Sequence, residues 1–141
     1  MTVETMSNPR NFGRETNGSM PMEPSEVSLS ERLERGIAFK IEGNYADAER
    51  EIKFVLEADP NCARAHRELG LVLNFTGFFE ESLDELRKSV ELDGTCLDTR
   101  NELALAYSML GMMDEAKREF EAVLELDPTN ATAQRNLVYF Q

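Results

Sequence analysis

Sliding the chain against itself by 34 residues brings its helix-breaking residues into register, and no other feature constrains the fold as much. Gly43 falls on Gly77 and Gly111, Asp59 on Asp93 and Asp127, and Pro60 on Gly94 and Pro128. Between the breaks, Phe39 falls on Leu73 and Tyr107, Tyr45 on Phe79 and Met113, and Ala48 on Ser82 and Ala116. From Leu29 onward apolar residues recur at helical spacing in segments of roughly a dozen, with no strand-like alternation. The units are residues 29–62, 63–96 and 97–130, with 131–141 beginning a fourth. A two-helix unit cannot bury its apolar face alone, but stacked copies can.

Each unit can be drawn from its small residues and its stops. Gly36, Gly70 and Ala104 in the first helix, and Ala48, Ser82 and Ala116 in the second, allow the two helices to approach closely. The glycine at 43, 77 and 111 follows the first helix, where a left-handed cap suits glycine best. Asp-Pro at 59 and 127 ends the second helix, because a residue before proline is steered out of the helical region. Asp93-Gly94 does the same in the middle unit.

Composition narrows the possible partners. Fifteen Lys and Arg against 27 Asp and Glu give a net charge of -12, without cations segregated on one face, so a nucleic-acid partner is excluded. Residues 1–28 contain Pro9, Pro21 and Pro24 and few hydrophobes, so a disordered N-terminal tail is expected there, followed by one folded domain over 29–141. The tail holds two Arg and four Glu, which leaves a net of -10 from Leu29 onward and assigns the acidity to the folded part. No apolar run approaches the roughly 18 residues of a membrane span. Met1 to Arg10 lacks the apolar stretch of a secretory signal, so no membrane insertion and a cytoplasmic location are expected.

The chain offers no set of residues for catalysis. His66 is the only histidine, and a lone helical histidine is usually structural or solvent-facing. Cys62 and Cys96 lack companions at metal-ligand spacing. Lying one unit apart, they are expected to exceed the roughly 7 Å α-carbon limit of a disulfide and to remain free thiols. Glu80, Glu81, Asp84 and Glu85, like Asp114, Glu115, Glu119 and Glu121, precede or flank cations on the second helices and read as a solvated face. No catalytic residue, metal site or cofactor is assigned, and the chain is expected not to be an enzyme.

The registered glycines, small residues and aromatics resemble the tetratricopeptide repeat family, over Leu29 to Gln141. The fold this implies is all-α: a right-handed α-solenoid of three helix-turn-helix repeats plus a short C-terminal helix. Arg32, His66 and Arg100 depart from the family by standing where an aromatic is typical. The resemblance implies that the first helix of each repeat lines a concave groove. The site residues it implies are Ile37, Ile41, Leu71, Phe75, Leu105 and Met109 as an apolar strip, flanked by Arg64, Arg67, Asn74 and Asn101. The competing reading is that the apolar side chains pack against neighbouring first helices. Family members that clamp a chaperone's C-terminal carboxylate use Lys and Asn where Leu33 and Ile37 stand here, which argues against that clamp, although Arg64, Arg67 and Arg135 could still meet acidic groups.

The expected function is a non-enzymatic protein-protein interaction scaffold that binds an apolar or amphipathic peptide segment of a partner. Two alternatives stand beside it: a self-assembling structural module, and a regulatory fragment of a larger protein. Weak homo-oligomerisation is expected from Leu137, Val138 and Phe140, because no following helix is there to cover all of them.

Overall fold

A computed structural model describes residues 27–140. The expected disorder of the tail concerns residues of which all but Val27 and Ser28 lie outside that range. Within it the chain forms α1 (Leu29–Glu42), α2 (Tyr45–Ala58), α3 (Ala63–Phe75), α4 (Phe79–Leu92), α5 (Leu97–Met109), α6 (Met113–Leu126) and α7 (Ala131–Leu137), then a 3-10 turn over Val138–Phe140. The described residues contain no strand. Helices pack in the pairs α1 with α2, α3 with α4 and α5 with α6, and α2 on α3, α4 on α5 and α6 on α7 join the pairs. This is a stacked helical solenoid, and its repeat boundaries coincide with the 34-residue register.

The start of the stack is set by a capping box. Ser28 Oγ accepts the Glu31 backbone N–H while Glu31 Oε1 accepts the Ser28 N–H, each at 3.1 Å. Two of the donors that a helix N-terminus leaves unpaired are satisfied this way. Gly43, Gly77 and Gly111 take φ of 85°, 91° and 79°. The residue after each returns its N–H to a carbonyl five positions back, Asn44 to Phe39, Phe78 to Leu73 and Met112 to Tyr107, at 2.8 to 2.9 Å. A side chain at these positive φ values would be strained.

Close approach decides the small positions. A methyl group on Gly70 would stand 2.8 Å from Leu86 Cγ. Opposite it, Ser82 Oγ donates to the Gly70 carbonyl at 2.6 Å, so the small pair also satisfies a buried hydroxyl. The core forms three clusters along the stack: Ile52, Val55 and Val72 in the first, Leu86 and Leu103 in the second, and Phe120 and Val123 in the third are almost wholly buried. At the far end Phe140 packs on Phe120 with ring centroids 6.0 Å apart, and Leu137 joins the same cluster. Two of the three terminal hydrophobes are thus partly covered by the chain's own core, without a following helix. Only Val138 and Tyr139 stand out, 64% and 82% exposed.

Candidate peptide-binding face

Helices α1, α3 and α5 lie side by side, and a ladder of charged groups ties them together. Arg64 donates to Glu34 at 2.6 Å, and Lys40 Nζ reaches Glu68 at 2.6 Å. Arg67 donates through Nε and Nη2 to the two oxygens of Glu102, each at 2.7 Å. The hydrogen bond to Glu102 holds the Arg67 guanidinium well above its ordinary range. The bond from Arg64 lowers the Glu34 carboxyl below its usual value. The two arginines expected to flank the groove are therefore already committed to carboxylates of the neighbouring first helix. Arg135, also considered for acidic groups, is exposed.

The apolar positions divide by depth. Ile37 is half-buried and packs on the first core cluster, as the competing reading has it. Leu71 is half-buried as well, and the remaining four open to solvent: Ile41 is 77% exposed, Phe75 59%, Met109 55% and Leu105 41%. Leu71, Asn74, Leu105 and Met109 share one cleft of about 180 Å³ between α3 and α5, with Glu102 on its wall. Leu105 also lines a second cleft, of about 580 Å³, with Ser108, Met113, Asn136, Tyr139 and Phe140. Phe75 stacks on Tyr45 of the preceding repeat at 5.5 Å. Asn101 does not stand in the opening. It is 6% exposed, and its Nδ2 donates to Asn130 Oδ1 at 3.1 Å. Asn130 Oδ1 in turn accepts the Ala133 N–H that caps α7.

The residues that replace an aromatic in each repeat have a structural role that the sequence reading did not find. His66 reaches Glu85 through Nδ1 at 2.6 Å and the Pro60 carbonyl through Nε2 at 2.7 Å. Arg100 repeats the pattern, donating to Glu119 at 2.9 Å and to the Gly94 carbonyl at 2.7 Å. Arg32 donates to Glu51 at 3.1 Å, and its guanidinium lies over the Phe54 ring. In the fourth unit Gln134 donates to the Pro128 carbonyl. In the second and third repeats one side chain thus stitches the first helix both to its own second helix and to the loop before it, while Arg32 makes the bond to the second helix and Gln134 the bond to the loop. The available signal was Glu51, Glu85 and Glu119, which are themselves 34 apart. At Gly94 a Cβ would meet Arg100 Nη2 at 2.8 Å, the far end of a flexible side chain that can move aside.

Cys62 and Cys96 are free thiols, each half-buried at the N-cap of α3 and α5. Among the described residues no group of three or more His, Cys, Asp and Glu could hold a metal ion. No described helix is long and apolar enough to cross a membrane.

No curated protein matches the sequence. Among solved structures, the crystal structure of MamA aligns with a TM-score of 0.71 at 23% identity. That alignment covers 74% of this chain and 61% of MamA, so the chain spans less than two thirds of that protein. The first TPR of Spaghetti (RPAP3), bound to the HSP90 peptide SRMEEVD, aligns with a TM-score of 0.74 at 22% identity, over 79% of this chain and 88% of that one. The second TPR domain of human RPAP3, in complex with the HSP70 peptide SGPTIEEVD, gives 0.72 at 26% identity over 79% and 97%. Family models described as tetratricopeptide repeat match residues 33–95 and 98–130. With three helix pairs in 34-residue register beneath these matches, the chain belongs to the tetratricopeptide repeat family.

Proposed function

We propose that the chain is a non-enzymatic protein-interaction scaffold that holds an apolar or amphipathic segment of a partner protein along the face of α1, α3 and α5. The observation that carries this reading is the exposure of Ile41, Phe75, Leu105 and Met109 on successive repeats of one face, with Leu71 in the cleft between them. Large apolar side chains aligned across a surface mark a contact surface more often than they serve the fold. The RPAP3 domains, which share the helical framework, carry peptides of HSP90 and HSP70. Those peptides end in EEVD, and here the cations that could receive such acids are largely spent in the ladder. Leu33 is buried in the core. An apolar anchor therefore suits this face better than a carboxylate.

The test is Leu71→Glu combined with Phe75→Glu in the full chain, followed by affinity capture from the source cell and circular dichroism. Loss of the captured partner with the helical spectrum and melting largely kept is the expected result. A folded double variant that captures the same partner overturns the reading. One that melts far earlier assigns both positions to the core and overturns it as well.

Self-association at the C-terminal end is a second reading, favoured by the exposure of Val138 and Tyr139 beside the larger cleft. Sedimentation across micromolar to millimolar concentration tests it. A monomer throughout counts against it.

A further inference from the structure

The apolar face does not stop at the first helices. Tyr45, Phe79 and Met113 open α2, α4 and α6 in 34-residue register, and they extend the surface over the turn edge of the stack. Tyr45 stacks on Phe75, Met113 shares the larger cleft with Leu105, and Phe79 and Met113 are 39% and 51% exposed. Carboxylates border this second row. Glu42 follows Ile41, while Glu80 and Asp114 occupy one register position, directly after Phe79 and Met113, and all three are exposed. Asp114 lines the larger cleft, where the exposed Lys117 is the cation nearest along the chain.

The charges on the face are therefore asymmetric. Lys40, Arg64 and Arg67 already hold Glu68, Glu34 and Glu102. A carboxylate arriving there would have to displace a partner already in place, whereas an ammonium or guanidinium reaching the turn edge meets solvent-facing carboxylates. The folded part as a whole carries a net of -10 and so attracts cations at long range. An acidic rim on an acidic chain also disfavours nucleic acid and anionic membrane as occupants.

Resting on the groove reading above, we propose that this face takes a cationic amphipathic segment of a partner protein. Its apolar residues would lie on the groove and on the row Tyr45, Phe79 and Met113, and its lysines or arginines against Glu42, Glu80 and Asp114.

The experiment titrates the full chain with three synthetic peptides by calorimetry. One carries Leu and Lys at amphipathic helical spacing, the second has Glu in place of every Lys, and the third has Gln in place of every Leu. The Leu/Lys peptide is expected to bind at least about tenfold more tightly than either of the others. Phe79→Gln with Met113→Gln, at exposed positions that leave the charge unchanged, should weaken it by about tenfold while the melting temperature holds. Glu42→Gln, Glu80→Gln and Asp114→Asn together should weaken the Leu/Lys peptide and leave the Leu/Glu peptide unchanged. Equal binding of Leu/Lys and Leu/Glu peptides, or indifference to the Phe79 and Met113 changes, overturns the inference and leaves the groove reading standing. Equal binding of the Gln/Lys peptide reduces the effect to unspecific charge attraction and overturns it too. If no Leu-containing peptide binds, the groove reading itself fails.

Discussion

Arg67 grips both carboxylate oxygens of Glu102 from the neighbouring repeat, with its Nε and Nη2 each 2.7 Å from the oxygen it meets. Both side chains are about one quarter exposed, so the pair is neither a surface ion pair of negligible worth nor a fully desolvated one. The two parallel bonds fix the offset of α5 against α3 as well as supplying attraction. In a double-mutant cycle, Arg67→Ala and Glu102→Ala should couple by about 1 kcal/mol, read from denaturant midpoints. Coupling indistinguishable from zero would mean that the ladder only occupies the groove cations and does not hold the repeats.

His66 should be replaceable by arginine and not by an aromatic, although the family expects an aromatic there. Arg100 performs the same double contact in the next repeat, so His66→Arg can keep both the Glu85 and the Pro60 bonds. His66→Phe would remove both, leaving Glu85 only its 3.6 Å contact with Lys88. The expected loss is about 1 to 3 kcal/mol for Phe and well under that for Arg, measured by thermal or urea unfolding. A phenylalanine variant as stable as the parent would show that packing alone suffices at this position.

The repeat framework was legible in the sequence because it rests on residues whose backbone demands are local. Gly43, Gly77 and Gly111 turn at positive φ, and Asp59, Asp93 and Asp127 end their helices outside the helical region, as their spacing required. The capping box at Ser28 and Glu31 is equally local, written in four consecutive residues. The stitches and the ladder are different in kind. They join side chains 19 to 35 positions apart, and which of several nearby acids each cation meets depends on rotamers and on the stagger of the stack. For the same reason helix position alone sets Asn101 beside the groove, whereas its side chain is the buried partner of Asn130.

Acid should loosen the loops between repeats before it unfolds the core. Asp93 Oδ1 accepts from both the hydroxyl and the backbone N–H of Thr95, and these bonds lower its carboxyl below the ordinary value. Glu34 is lowered by its bond from Arg64. A carboxyl lowered on folding contributes stability above its unfolded value of about 4, and that contribution is lost as pH falls through the folded value. The melting temperature should therefore fall below about pH 4. Asp93→Ala should flatten part of that fall, with Thr95 amide exchange accelerated already at neutral pH. An unchanged profile in the variant would remove Asp93 from the acid response.

Phe140 closes the apolar end of the stack, and its removal should show in both stability and association. Its ring lies against Phe120, which is completely buried, and it touches the clusters on both sides of α6. At Val138 the α-helix tightens into a 3-10 segment, in which Phe140 packs onto the core while Tyr139 stays 82% exposed. Phe140→Ala should cost about 2 to 4 kcal/mol, towards the lower end because the ring is only half-buried. It should also uncover Phe120 beside an apolar cleft, so the variant should dimerise at concentrations where the parent is monomeric. Tyr139→Ala, by contrast, removes an exposed ring and should leave stability within about 0.5 kcal/mol of the parent. Sedimentation of the two variants side by side separates the roles: greater association in the Tyr139 variant than in the Phe140 variant would show that Phe140 is not the residue that closes this end.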